Sequence, residues 1–101
     1  FVEAARFLAE RMIEHSVDPR IAIEFGFISL VSRKPRNAEL ILLLEAYSEF
    51  EKHYRAQPKA AKALLSVGQK KRNESLELTE HAALTMVASL LMNLDEAITR
   101  E

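Results

Sequence analysis

Cysteine is missing from this chain of 101 residues, and so is tryptophan. The lack of thiols excludes a disulfide scaffold, thiolate zinc sites, a cysteine nucleophile, iron–sulfur ligation and the haem attachment motif C-x-x-C-H. Glycine occurs twice and proline three times. They fall almost entirely where helices should begin or end, so little interrupts helix formation. Long apolar runs are lacking too. The longest uncharged stretch, Ala82–Leu94, includes Thr85, Ser89 and Asn93 and falls short of the roughly 18–20 residues that a spanning helix needs. No membrane insertion is expected. No basic region precedes an apolar one at the start, so no signal peptide is expected. The chain opens on Phe1, already helix-like, which reads as a piece of a longer protein. The net charge of −1 argues against general electrostatic binding to nucleic acid or an acidic membrane.

What is present is helical pattern. The chain is 49% hydrophobic and 29% charged, and its length fits one domain over residues 1–101 with a real core. A first helix is expected from Val2 to His15, with Ala5, Leu8, Met12 and His15 on one face. Asp18-Pro19 reads as an N-cap followed by proline at the first helical position. The second helix then runs from Pro19 to Ser32, with Ile21, Phe25 and Ile28 as its stripe. Being apolar on most sides, it should be the central one. Gly26 within it reads as close packing against a neighbour, since mid-helix glycine costs about 1 kcal/mol relative to alanine. A third helix is expected from Asn37 to Ala56, burying Leu40, Ile41, Leu44, Tyr47 and Tyr54. A short fourth runs from Lys59 to Val67, stopped by Gly68. Gln69–Ser75 is a polar connection, the best candidate for a mobile loop. The last helix, Leu76 to Arg100, keeps the 3-4 spacing through Ala83, Leu84, Val87, Leu90, Leu91, Leu94 and Ile98, and spans roughly 35 Å. The expected fold is all-α, a bundle of four or five helices with a long C-terminal helix.

The sequence offers little chemistry. His15, His53 and His81 are too far apart for an H-x-x-x-H zinc signature, though their convergence in space stays open. Glu49–His53 and Glu77–His81 read as exposed hydrogen-bonded pairs at i,i+4, and Glu51–Arg55 and Glu96–Arg100 as favourable ion pairs. No G-x-S-x-G and no glycine-rich phosphate loop occurs. No catalytic, cofactor-binding or metal-ligating residue is assigned, and the chain alone is not expected to be an enzyme. Charge is unevenly spread. Residues 1–32 carry −2, residues 33–72 carry +6 and residues 73–101 carry −5. The basic middle, with Lys62, Lys70, Lys71 and Arg72, lacks the stacking aromatics of a nucleic-acid surface. It offsets the acidic ends or faces an acidic partner.

The final run, Ala88-Ser89-Leu90-Leu91-Met92-Asn93-Leu94-Asp95-Glu96-Ala97-Ile98-Thr99-Arg100-Glu101, resembles the close of a large planctomycete family, whose pattern is like L-L-N-L-D-E-x-x-T-R-E. Upstream, Ala5–Arg11 looks like that family's R-x-L-A-E-R helix. Phe25, Phe27, Leu30, Arg33, Pro35, Glu39 and Leu40 follow a second segment, and Ala63–Gly68 follows its A-L-L-x-V-G stretch. The family is a planctomycete-specific C-terminal domain of cytochrome-c-linked surface and secreted proteins (domain of unknown function 1553). Three positions depart from it: Met92 replaces the second apolar residue of the closing pattern, and the other two lie upstream. Ser32 replaces a glycine before Arg33, and Arg36 replaces a threonine N-cap, which breaks the capping box with Glu39 and moves the expected cap to Asn37.

The resemblance implies the C-terminal portion of a multidomain, extracytoplasmic or cell-surface protein. Haem, if any, would lie in its upstream domains, with no cofactor in this chain. It makes Asn93, Asp95, Glu96, Arg100 and Glu101 the motif residues, read physically as a polar clasp for the C-terminus. The expected role is a non-catalytic accessory or interaction domain. Its partners would be upstream domains of the same protein or another protein, and self-association of the isolated domain stays open. The alternative is a contribution to a composite redox or hydrolytic site completed upstream.

Overall fold

Five helices follow one another in the computed structural model: α1 (Val2–His15), α2 (Pro19–Val31), α3 (Asn37–Ala56), α4 (Pro58–Leu65) and α5 (Leu78–Thr99). The structure describes the backbone of residues 2–68 and 71–99, and side chains as far as Asp95. No strand occurs among the described residues. The all-α bundle with a long C-terminal helix is the observed fold.

Local chemistry sets the boundaries. Asp18 Oδ1 accepts the Arg20 N–H at 2.9 Å, with Pro19 at the first helical position, so the start of α2 satisfies one orphan donor and omits another. α2 ends at Val31. Ser32 follows in the left-handed region at φ 64°, its N–H donating to the Ile28 carbonyl at 3.0 Å. α3 begins at Asn37, but its N-cap is Arg36 rather than Asn37. Arginine has no acceptor, so only the returning half of a capping box forms: Glu39 Oε1 accepts the Arg36 N–H at 2.8 Å. Arg33 clamps both Glu39 oxygens, at 2.8 and 2.9 Å. These bonds, those from Arg33 first, hold the Glu39 carboxyl down to about 2. The Glu51–Arg55 pair forms as expected, at 3.5 Å. α5 starts at Leu78, where the Glu77 carboxylate accepts the N–H groups of Thr79 and Glu80.

The helices surround α5. It packs against each of the other four, and these touch in a closed order: α1 on α2, α2 on α3, α3 on α4 and α4 on α1. The burial pattern of α5 follows. Ala82, Ala83, Leu84 and Thr85 are buried in succession, followed by Val87, Ala88 and Leu91. Four consecutive residues point around the whole circumference of a helix. The centre of the bundle is therefore α5, not α2. α2 sits in the ring and turns Ala22, Ile23, Gly26 and Phe27 inward. That leaves Ile21 and Ile28, expected inside, at 47% and 38% exposure, and on α3 Ile41 is 54% exposed.

Gly26 marks where α1 and α2 come closest. A Cβ there would lie 2.8 Å from Met12 Sδ, and Met12 is fully buried. Gly26→Ala should therefore lower stability by about 1–2 kcal/mol through overpacking, although helix propensity alone predicts a gain. Ser32→Gly should act in the opposite sense. Relieving the left-handed backbone at the α2 C-cap should raise stability by about 1 kcal/mol. Urea denaturation of the two variants checks both signs.

Candidate functional site

Arg6 and His81 are buried, although sequence pattern places His81 on the surface beside Glu77 and gives Arg6 no buried role. Arg6 lies one turn before Glu10 on α1. Its Nη1 donates to the carbonyls of Leu65 at 2.8 Å and Val67 at 3.2 Å. These carbonyls end α4, where helical groups lack intrahelical donors and a cation is favoured. Gly68 follows at φ 104°, and a Cβ there would overlap the Glu3 carboxylate. The close of α4 is thus fitted against the first turns of α1, and the backbone angle at Gly68 favours glycine there.

His81 stands in the first turn of α5 beneath the same region. It is not the exposed partner of Glu77 that the i,i+4 spacing suggested, because Glu77 is occupied in capping the helix. Instead, Arg72 Nη1 lies 3.0 Å from His81 Nδ1. A guanidinium can only donate, so Nδ1 accepts and the ring proton lies on Nε2. That nitrogen faces Glu10 Oε2 at 3.5 Å, with neither atom engaged in a closer hydrogen bond. Burial, then the charge of Arg72, pushes the imidazole down to about 4, and the charge of Arg6 adds to this against a backbone contact with Arg6. His81 is neutral near pH 7, and its approach to Glu10 is a dipolar contact rather than an ion pair.

Arg72 is fixed by the loop as well. The same Nη1 lies 3.3 Å from the carbonyls of Asn73 and Leu76. Asn73 Oδ1 accepts from the Ser75 N–H at 3.1 Å and the Ser75 hydroxyl at 2.6 Å. Of the connection expected to be mobile, Gln69 and Lys70 lie outside the described residues, while Arg72, Asn73 and Ser75 are tied by these bonds.

Between α1, α4 and the segment leading into α5 opens a cavity of about 790 Å³. Arg6, Lys62, Lys71 and Arg72 line it, with Leu65 and Leu78 as apolar wall and Glu74 as an acid on the same lining. Part of the basic middle of the sequence is therefore concave and joined by a buried arginine from α1. Its volume falls in the range of small-molecule sites, while its lining is mostly charged.

The other sequence candidates lie elsewhere. Asn93 is exposed and Asp95 half-buried on α5, while the side chains of Glu96, Arg100 and Glu101 lie outside the described residues, and with them most of the expected clasp. His15 stacks on Phe25 at 4.2 Å and His53 meets Tyr54 edge-on at 4.8 Å. Each histidine keeps its own surroundings, and no group of three or more potential ligands that could hold a metal ion occurs among the described residues. Nor, among them, is any helix long and apolar enough to cross a membrane. Tyr47, Glu51, Glu77 and Glu80 form an acidic neighbourhood between α3 and α5. Burial, and then Glu77 and Glu51, push the Glu80 carboxyl up. No family model, curated protein or solved structure matches the chain.

Two outcomes test the buried cluster. Arg6→Met should destabilise the fold by about 3 kcal/mol, because the carbonyls of Leu65 and Val67 lose their charged donor. His81 titrates near 6.5 when unfolded and about 4 when folded, so the unfolded chain binds more protons between those values. Its contribution to stability is complete above pH 6.5 and is lost as pH falls toward 4, by roughly 3 kcal/mol in all. Denaturation midpoints measured across that range, against His81→Gln, should show a slope that the variant lacks.

Proposed function

We propose that this chain is a non-catalytic helical accessory domain that packs against the upstream part of a larger, cytochrome-c-associated, extracytoplasmic protein. The sequence resemblance supplies the parent. The observation that supports docking is the position of α2. It is apolar on nearly every side, yet it occupies the ring rather than the centre, so its outer residues have no task within the bundle. Ile21 and Ile28 lie two turns apart on its outer side, and Ile41 lines the adjoining groove of about 290 Å³ with Arg20 and Leu44. Scattered exposed apolar residues are ordinary, but an aligned set beside a groove is the pattern of a surface that meets another protein.

The role of such a domain is mechanical. It presents a rigid face, fixed by Gly26 against Met12 from within, and orients the domains that precede it. Haem or other redox chemistry would belong to those domains.

The test is association of the 101-residue chain with the separately expressed upstream segment of its parent, followed by sedimentation. A complex should form, and Ile21→Gln with Ile28→Gln should weaken it at least about tenfold, equivalent to 1.4 kcal/mol. The thermal midpoint of the variant itself should barely move. A parent without cytochrome motifs, or a double variant that binds as well as the unaltered chain, would overturn the reading.

A further inference from the structure

The geometry points to a binding site for a small organic anion, one that carries its acid group on an apolar body, in the cavity between α1, α4 and the segment leading into α5. Among the described residues, its four cations come from three separate stretches of chain: Arg6 from α1, Lys62 from α4, and Lys71 and Arg72 from the segment beyond Gly68. Glu74 is on the same lining and the Glu3 carboxylate lies against Gly68, so among the described residues four cations face two acids. The chain as a whole carries −1, which makes the concentration of cations in one concavity a local property. Such clefts focus the field and attract anions.

The inner cations are held in place before any ligand arrives. Arg6 is immobilised by two backbone carbonyls. Arg72 is held through Nη1 alone, by two carbonyls and His81. Its Nε and Nη2 donors therefore remain available to an acid group in the planar geometry that suits a carboxylate. Little rotamer freedom is lost when such a donor binds. Lys62 and Lys71 are exposed and neither forms an ion pair among the described residues, so they supply charge at the mouth.

The size and walls of the cavity choose between anions. At about 790 Å³ it has the capacity of a site for an organic molecule, far beyond what a bare oxyanion fills. Half-buried Leu78, beside the buried Leu65, gives the apolar body a surface. No aromatic side chain lines it among the described residues, so these supply no stacking platform of the kind a single-stranded nucleic acid needs.

Octanoate, inorganic phosphate and octanol, each titrated into the isotope-labelled 101-residue chain at low salt, separate the possibilities by NMR. Octanoate should saturate, shifting the Arg72 side chain and the methyl groups of Leu65 and Leu78. Phosphate and octanol should each bind at least about tenfold more weakly, lacking the apolar body or the charge, a difference of 1.4 kcal/mol. Lys62→Gln with Lys71→Gln, at exposed positions that leave the fold intact, should weaken octanoate by a similar factor. Phosphate or octanol binding as tightly as octanoate would overturn the proposal. So would octanoate affinity unchanged in the double variant, shifts confined to the α2–α3 groove, or no saturable shift at all.

Discussion

Ala82 to Thr85 are buried one after another, and a helix can bury consecutive residues only when neighbours surround it. That requirement organises the bundle. Four helices must close around α5, and each must meet the next, because a gap in the ring would leave part of α5 facing water. Small residues make the arrangement feasible. Ala82, Ala83 and Ala88 let neighbouring backbones approach α5, while Leu84, Val87 and Leu91 fill the space between them. Ring closure sets further demands in turn. α1 and α2 must come close enough for Gly26 to meet Met12, and α4, only eight residues long, must be held against α1 by something stronger than its small apolar face.

Arg6 meets that last demand. A short helix buries little surface, and its end exposes carbonyls that would be costly inside a protein without donors. One guanidinium reaching from α1 satisfies the carbonyls of Leu65 and Val67 and so closes the ring between α1 and α4. The buried charge has a consequence at His81. Two guanidinium groups lie near the imidazole, and burial already disfavours its charged form, so the ring stays neutral and can accept from Arg72. The chain of contacts from Leu65 through Arg6, His81 and Arg72 back to Leu76 ties the end of α4 to the start of α5.

The sequence made the helices legible because glycine, proline and Asp18 mark their ends and the 3-4 spacing marks their middles. It misplaced the centre because periodicity reports how apolar a helix is, not what surrounds it. α2 and α5 are both apolar on several sides. The difference is that α5 carries alanine and threonine where α2 carries isoleucine and phenylalanine, and small residues fit an interior position crowded by four neighbours. Arg6 escaped notice because charged residues are ordinarily outside. Its pattern was nonetheless informative, since Val2, Arg6, Ala9 and Ile13 share one line along α1. His81 was read by its spacing from Glu77, but Glu77 had a nearer use at the helix start. Arg72 could not have been found, because its partners are set by a loop whose path no periodicity encodes. The shift of the α3 cap to Arg36 has a similar cause. Arg33, three residues earlier, supplies the bonds to Glu39 that an arginine cap cannot.

The ring order also separates the molecule's two distinctive surfaces. α2 touches α1, α3 and α5 but not α4, so the outer residues of α2 and the basic cavity beside α4 lie on opposite sides of α5. Their chemistry differs as sharply as their positions. One is an aligned apolar strip next to a shallow groove, suited to a flat protein contact. The other is a charged concavity suited to a small molecule. A partner covering Ile21 and Ile28 leaves Lys62 and Lys71 in solvent, and a ligand between Arg72 and Leu78 leaves α2 uncovered. The two surfaces still share a support: α5 packs against both α2 and α4, and His81 in its first turn holds the arginine that lines the cavity. A domain docked through α2 would therefore keep the cavity open, with its inner donors already oriented.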